Sequence, residues 1–138
     1  MRDALALRRY LQRHSEANLP HYAFTETCWH QVLILPAYQE STALLEKLKH
    51  LPASDGEADA RTLVILVLNR PDTDSDPLVN ADIRDALKEG TLPRAMRESV
   101  SVFCLNPYTD LYLYDMEILH GPTPNALGVG LARKTGCD

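Results

Sequence analysis

The sequence predicts an α/β fold built on a mostly parallel sheet. Two continuous apolar runs, Gln31–Leu35 and Thr62–Leu68, are rich in β-branched residues and have the composition of strands buried on both faces. Apolar residues at helical steps lie between them. A strand, a helix and a second strand in this order form a β-α-β unit with parallel strands. We therefore expect a Rossmann-like sheet with flanking helices.

The first segment of the chain predicts a helix. Residues 3–14 alternate Leu and Ala with arginines, which is typical of a partly amphipathic helix. We expect it to pack on the fold or to precede it, and contact with anionic membrane lipid is the less favoured alternative. Polar residues around Pro20 predict a loop at 14–27. Residues 1–30 thus form a helix and loop ahead of a domain at 31–138.

Turn and capping residues bound the β-α-β unit. Pro36 ends the first strand, Ser41 or Thr42 caps the helix, and Pro52 ends it. Residues 53–60 predict an exposed loop before the second strand.

The second half of the chain predicts two helices and two strands. One helix is marked by three apolar residues at helical spacing and ends at Gly90: Leu78, Ile83 and Leu87. Ser101–Leu105 and Leu111–Tyr114 are strands joined by a turn. A closing helix is expected over 126–134.

Composition narrows the classes of function. The 138 residues are 45% hydrophobic and 24% charged, with a formal net charge of -5, as expected for one soluble globular domain. Neither a membrane-spanning apolar run nor a signal-peptide core is evident, so we expect a cytoplasmic protein. The acidic balance argues against nucleic acid. The widely spaced Cys28, Cys104 and Cys137 predict neither a disulfide framework nor a zinc site.

An aromatic and polar segment follows the first strand. It comprises Pro36, Ala37, Tyr38, Gln39 and Glu40. The ring of Tyr38 could stack on a flat ligand while Gln39 and Glu40 bond to it. In the simpler interpretation, Pro36 ends a strand and Tyr38 covers the edge of the core.

Polar residues also follow the second strand. Asn69 suits the edge of a base or a ribose, and equally an Asx turn before Pro71. The run Asp72-x-Asp74-x-Asp76 is similar to the start of a calcium loop, but Pro77 and Ile83 stand where such a loop needs Gly and Glu. A solvated acidic loop is favoured over a weak cation site.

Two glycines precede basic residues near the end of the chain. Gly128 and Gly130 at a helix start, with Arg133 and Lys134 beyond, suit a phosphate group. The spacing matches neither the dinucleotide fingerprint nor a Walker A loop. Nucleophilic catalysis finds little support, because no GxSxG elbow occurs and the histidines are scattered. His120 beside a glycine is the most site-like of them.

Taken in order, these segments resemble the amino-terminal half of family 2 glycosyltransferases of the GT-A fold. That family carries a P-A-Y-N-E type segment after its first strand and, later, a G-x-x-x-A-R-N-x-G type segment. The corresponding segments here are residues 36–40 (PAYQE) and 128–136 (GVGLARKTG). The resemblance covers 31–138.

The resemblance implies a binding site for a nucleotide-sugar donor. Its expected contacts are the strand-end residues along the nucleoside and an arginine near the base or diphosphate: Pro36, Ala37, Tyr38, Glu40, Asn69 and Arg133. The sequence departs from the family pattern at two places in these segments. Asn69 stands near where the family has an Asp that holds the base, and Lys134 replaces the usual Asn.

A third departure concerns catalysis. In the family, an Asp-x-Asp that coordinates the metal on the diphosphate follows the arginine segment, and a carboxylate base lies further on; transfer to an acceptor hydroxyl needs both. Neither follows Arg133 here. We therefore expect the donor-binding part of a longer enzyme, inactive alone, with no catalytic residue or metal ligand in this chain and with Mg²⁺ or Mn²⁺ only in the longer protein. The alternative is a non-catalytic α/β module that binds a protein or a nucleotide.

Overall fold

The computed structural model describes residues 2–14, 29–53 and 60–138, which form an open five-stranded sheet with helices on both faces. The strands are β1 (Gln31–Ala37), β2 (Thr62–Leu68), β3 (Arg94–Arg97), β4 (Val100–Asn106) and β5 (Thr109–Asp115). Their order is β1-β2-β5-β4-β3. β1, β2 and β5 are parallel, β4 is antiparallel to β5, and β3 is antiparallel to β4. The predicted Rossmann-like α/β fold is confirmed.

The helices are α1 (Arg2–His14), α2 (Ala43–Lys49), α3 (Ala81–Glu89), α4 (Met116–His120) and α5 (Gly128–Cys137). Side chains of a strand alternate between the two faces of a sheet, so β2 serves two cores. On one face Leu66 packs in a cluster with residues of α2 and α3. On the other face Val67 packs with Ala132 of α5.

β1 differs from its prediction. It continues through Pro36 and forms an edge of the described sheet, so Val32 is 55% exposed and not buried on both faces. The amide of Gln31 donates to Arg61 O, and Ala37 O accepts from the amide of Asn69. The backbone amides and carbonyls of odd-numbered residues of β1 therefore form hydrogen bonds with β2, and the backbone nitrogen of Pro36 points away from the sheet. Proline is tolerated there because no ladder bond is lost.

The remaining elements agree with the sequence in part. β2 has the predicted bounds, and the predicted pairs of helices and strands in the second half are present. Leu78 was expected in a helix, but α3 begins only at Ala81 and Leu78 is 70% exposed. β3 and α4 were not predicted, because both are short and neither has an apolar period. The loop expected at 14–27, apart from His14, and most of the loop at 53–60 lie outside the described residues.

α5 lies close to the sheet. A Cβ atom on Gly136 would come within 2.5 Å of Cγ2 of Ile34, so only glycine fits this contact. The loop before α5 pairs Thr123 with Pro71, just beyond β2. α5 therefore starts at the carboxyl edge of the parallel strands and runs back over β1 and β2.

α1 contacts the far end of α5. The hydroxyl of Tyr10 donates to Asp138 at 3.1 Å, and the ammonium group of Lys134 donates to the carbonyl of His14. The predicted helix is confirmed; residues 4–10 are exposed, and the contacts with α5 involve Tyr10 and His14. No helix in the described ranges has the length and apolar character needed to cross a bilayer.

Candidate functional site

The carboxyl ends of the three parallel strands meet at one edge of the sheet. Ala37 of β1 lies opposite Leu68 of β2, which lies opposite Asp115 of β5. The residues that follow these three positions form what we call the carboxyl edge. The sequence predicted this meeting point from the parallel strands alone, and the register confirms it.

The connections between strands diverge at this edge. α2 and α3 both lie on one face of the sheet, whereas the chain after β5 returns over β2 and β1 as α5 on the opposite face. In open α/β sheets, the crevice between connections that leave in opposite directions is the usual ligand position. Here that crevice lies beside the ends of β2 and β5.

Glu117 is the centre of a polar network at the carboxyl edge. Its carboxylate accepts from Nε of Arg70 at 2.7 Å, from Nη2 of Arg84 at 3.1 Å and from Nδ2 of Asn80 at 3.1 Å. The Glu117 side chain is 9% exposed. Burial raises the pKa of Glu117, but these three hydrogen bonds outweigh it and leave the pKa below its ordinary value. Glu117 is therefore held as a carboxylate.

Asp115 provides the second carboxylate of this network. It accepts from Nε of Arg84 at 2.6 Å, and this contact raises the pKa of the Arg84 guanidinium. Its other oxygen accepts from the amide of Ile118 at 3.1 Å and so caps α4. Asp115 thus links the end of β5 to both α3 and α4.

Asn80 joins the ends of β1 and β2. Its side chain is almost fully buried, donates to Asn69 O at 3.0 Å and accepts from the amide of Gln39 at 3.1 Å. Gln39 has a positive φ of 56°, an uncommon conformation for a residue other than glycine. The bond from Asn80 supports this turn, which carries the neighbouring Tyr38.

Tyr38 stands on the solvent side of the network. The residue is 37% exposed, and its hydroxyl donates to Oδ2 of Asp74 at 2.5 Å. This bond raises the pKa of Tyr38 and lowers that of Asp74, which also accepts from the amide of Asp76. The backbone carbonyl of Asp74 in turn accepts from Arg70. One end of the Tyr38 ring is thereby fixed while part of its surface remains accessible.

In the acidic loop at residues 72–76, the carboxylates accept hydrogen bonds from backbone amides. Asp72 accepts from the amide of Asn125 at 3.0 Å, Asp74 from that of Asp76 at 2.9 Å, and Asp76 from that of Leu78 at 2.9 Å. No group of three His, Cys, Asp or Glu side chains suited to a metal ion occurs within the described ranges. Within this loop the three carboxylates stabilise turns of the backbone.

The structure brings most, but not all, of the predicted site residues together. Pro36 and Ala37 are the last residues of β1, and Tyr38 and Glu40 follow them in exposed positions. Asn69 is 4% exposed, so its side chain offers little surface to a ligand.

Arg133 lies apart from these residues. It is exposed on α5, next to the buried Ala132, and no hydrogen bond or ion pair among the described residues joins it to the carboxyl edge. A ligand contact by Arg133 stays a prediction.

Sequence reasoning did not single out the network itself. Its members are two arginines, two carboxylates and a buried amide: Arg70, Arg84, Asp115, Glu117 and Asn80. A usable signal was present, because Arg70, Asp115 and Glu117 lie at or within two residues of the ends of parallel strands. Arg84, within α3, gave no such signal.

A second charged cluster lies at the opposite, amino edge of the sheet. Asp110 of β5 is fully buried; it accepts from Nε1 of Trp29 at 2.9 Å and from Nε and Nη2 of Arg61. Nε of Arg97 forms a longer ion pair with it at 3.4 Å. Asp110 therefore ties β5 to Arg61, which precedes β2, and to β3.

His120 lies beside the carboxyl edge at the end of α4. Its Nε2 is 2.7 Å from the hydroxyl of Tyr114, a nearly buried residue of β5, and the rings are stacked. This contact holds the end of α4 against β5, which gives His120 a structural role.

Comparison with protein-family models, with curated proteins and with solved structures found no match.

Proposed function

We propose that this chain is a nucleotide-sugar-binding domain that holds the nucleoside of its ligand at the carboxyl edge. The observation that carries the proposal is the position of Tyr38. A partly exposed aromatic ring, fixed at its hydroxyl, lies at the edge where ligands of open α/β sheets bind. The order of the PAYQE and GVGLARKTG segments supports the same ligand class.

The surroundings of Tyr38 suit a nucleoside. A base can stack on the accessible face of the ring, and stacking on an aromatic side chain contributes about 1–3 kcal/mol per base. The exposed Glu40 and Asp72 lie in the segments next to it. Carboxylates accept hydrogen bonds from hydroxyl groups, so these residues suit a ribose or a sugar.

The charged side chains at the carboxyl edge affect where the phosphates of a nucleotide sugar can bind. Arg70 and Arg84 are both paired with Glu117, and the acidic side chains of the loop outnumber them. A bare diphosphate is repelled by such a rim. In this proposal the phosphates lie towards residues 128–134 of α5, a segment that includes Arg133, and a divalent cation joins only in a longer protein.

We propose sugar transfer to an acceptor hydroxyl only for a longer polypeptide that supplies metal ligands and a base. The described residues contribute donor binding. A cytoplasmic location is part of the proposal, since Cys104 and Cys137 are both free thiols.

One observation favours protein contact at the same edge as a second candidate. Several exposed large apolar side chains lie on the elements around it: Leu78, Ile118, Leu119, Leu127 and Val129. Exposed apolar groups of this kind are typical of interaction surfaces. A protein ligand would use these side chains and would not need the ring of Tyr38.

Titration calorimetry of the full chain with UDP, GDP and their sugars, with and without Mn²⁺, tests the proposal. Tyr38→Ala should weaken nucleotide binding by about tenfold or more through the lost stacking. Tyr108→Ala is the matched control, because Tyr108 is 43% exposed in the turn between β4 and β5 at the amino edge. No binding by the wild-type chain, or an equal loss in both variants, would contradict nucleotide binding at Tyr38.

A further inference from the structure

α1 separates charge from apolar surface on its two sides. Successive residues of a helix turn by about 100°, so positions four apart share a face. Arg9 and Arg13 therefore lie on one side, together with Leu5, and Leu7 and Leu11 lie on the opposite side. Residues 4–14 contain no acidic residue.

Both sides of α1 carry solvent-exposed side chains, although Leu11 is partly buried. Leu7 is 57% exposed and Tyr10 is 42% exposed, while Arg8, Arg9 and Arg13 are exposed as well. Contacts with α5 involve Tyr10 and His14, in the second half of the helix. The fold therefore leaves apolar and basic groups of α1 available together.

The charge of α1 contrasts with that of the chain. The whole sequence carries a net charge of -5, yet α1 has four arginines against one aspartate. A basic helix on an acidic protein is complementary to an anionic surface.

We propose that α1 docks this protein on an anionic lipid bilayer. An interfacial helix of this kind buries its apolar side among the acyl chains, and its arginines contact the lipid head groups. An acidic protein segment would pair with the arginines and leave Leu7 exposed. A bilayer would both pair with the arginines and bury Leu7. The contact of α1 with the far end of α5 keeps the carboxyl edge away from the docked helix. This inference does not depend on the proposed function.

Vesicle co-sedimentation of the full chain tests the docking. We expect binding to phosphatidylcholine vesicles that contain about 30% phosphatidylglycerol, release at high salt, and little binding to phosphatidylcholine alone. Absence of binding to the anionic vesicles, or equal binding to both kinds, would overturn the proposal. Self-association through α1 without vesicle binding, seen by analytical ultracentrifugation, would also overturn it.

Paired variants assign the effect to α1. The double change Arg9→Glu and Arg13→Glu should lower the partition coefficient by about 25-fold or more, because each basic group near an anionic surface accounts for about fivefold. Lys47→Glu with Lys88→Glu is the control, since both lysines are exposed and the change in net charge is the same. An equal loss in the two double variants would contradict docking through α1.

The apolar side is tested separately. Leu7→Ser should weaken vesicle binding, whereas Leu78→Ser, at a leucine that is 70% exposed and lies outside α1, should not. All these side chains are exposed, so circular dichroism should show that the variants fold. Binding that is unchanged by Leu7→Ser would show that α1 does not insert and would overturn the proposal.

Discussion

The two edges of the sheet use the same chemistry in different surroundings. At the amino edge, the carboxylate of Asp110 is fully buried and contacts Arg61 and Trp29. At the carboxyl edge, Glu117 contacts Arg70, but the Glu117 side chain is 9% exposed and the Arg70 side chain is 13% exposed. The two edges therefore differ at the carboxylate: water does not reach Asp110, although its partners Arg61 and Arg97 are 19% and 34% exposed, whereas water reaches Glu117.

This difference indicates at which edge of the sheet a ligand can replace bound water. A buried carboxylate that loses its cations cannot be rescued by water, so the cluster at Asp110 fixes strands in place. At the carboxyl edge, solvent reaches the network, and the exposed ring of Tyr38 and the acidic loop lie beside it. A ligand can replace water there without unfolding the sheet.

The largest expected effect comes from Asp110→Asn. The variant removes the buried carboxylate that pairs with Arg61 and Arg97, and breaking a buried ion pair costs about 3–5 kcal/mol. Urea denaturation should show this loss in the free energy of unfolding. Asp85→Asn, at an exposed position of α3, is the control and should change stability little. A loss below about 1 kcal/mol at Asp110 would mean that this cluster does not hold the strands together.

Glu117→Gln should have a smaller effect, about 2–3 kcal/mol, because the carboxyl edge is partly solvated. The pKa of Glu117 is lowered in the folded state, so its contribution is complete above the unfolded pKa and is lost as the pH falls through the folded pKa. The stability difference between wild type and variant should therefore narrow in acid, as measured by denaturation at several pH values.

A surface pair provides the control for Glu117→Gln. Glu46 forms a 2.6 Å ion pair with Lys49 and is 64% exposed. Glu46→Gln should change stability by less than about 1 kcal/mol, since exposed pairs contribute little. Similar losses at both positions would show that the network around Glu117 is no stronger than a surface pair.

The smallest effect is expected from Tyr38→Phe. The variant removes the hydroxyl that donates to Asp74 and keeps the ring. The pKa of Asp74 should rise towards its ordinary value, because its largest lowering cause is that bond. NMR titration of the Asp74 carboxyl carbon measures this shift, and the thermal midpoint at neutral pH should stay nearly constant. An unchanged pKa would mean that Tyr38 and Asp74 do not bond in solution.

The sequence predicted the parts of the fold that depend on local pattern. β2 is buried on both faces, and its seven apolar or β-branched residues show this directly. β1 has a similar composition but lies at the edge, because strand order depends on where later strands pair. β3 contains two arginines among its four residues and was not predicted, since its pairing with β4 and not its apolar pattern makes it a strand.

The candidate site was predictable to the same extent. Parallel strands end at one edge, so the sequence alone predicts that Tyr38 and Asn69 lie at the same edge of the sheet. It could not show that Asn69 is buried or that Arg84 reaches Asp115, because loop paths decide these contacts. Asp110 was missed for another reason: an acidic residue near a turn is usually solvated.

Pro36 also bears on the behaviour of the protein at high concentration. Of the β1 nitrogens that point away from β2, those of Val32 and Ile34 carry a hydrogen and that of Pro36 does not. An incoming strand from another molecule would therefore lose a ladder bond at this end of β1. The other edge strand, β3, is short and carries Arg94 and Arg97. Both described edges of the sheet thus resist strand addition and the aggregation that follows from it.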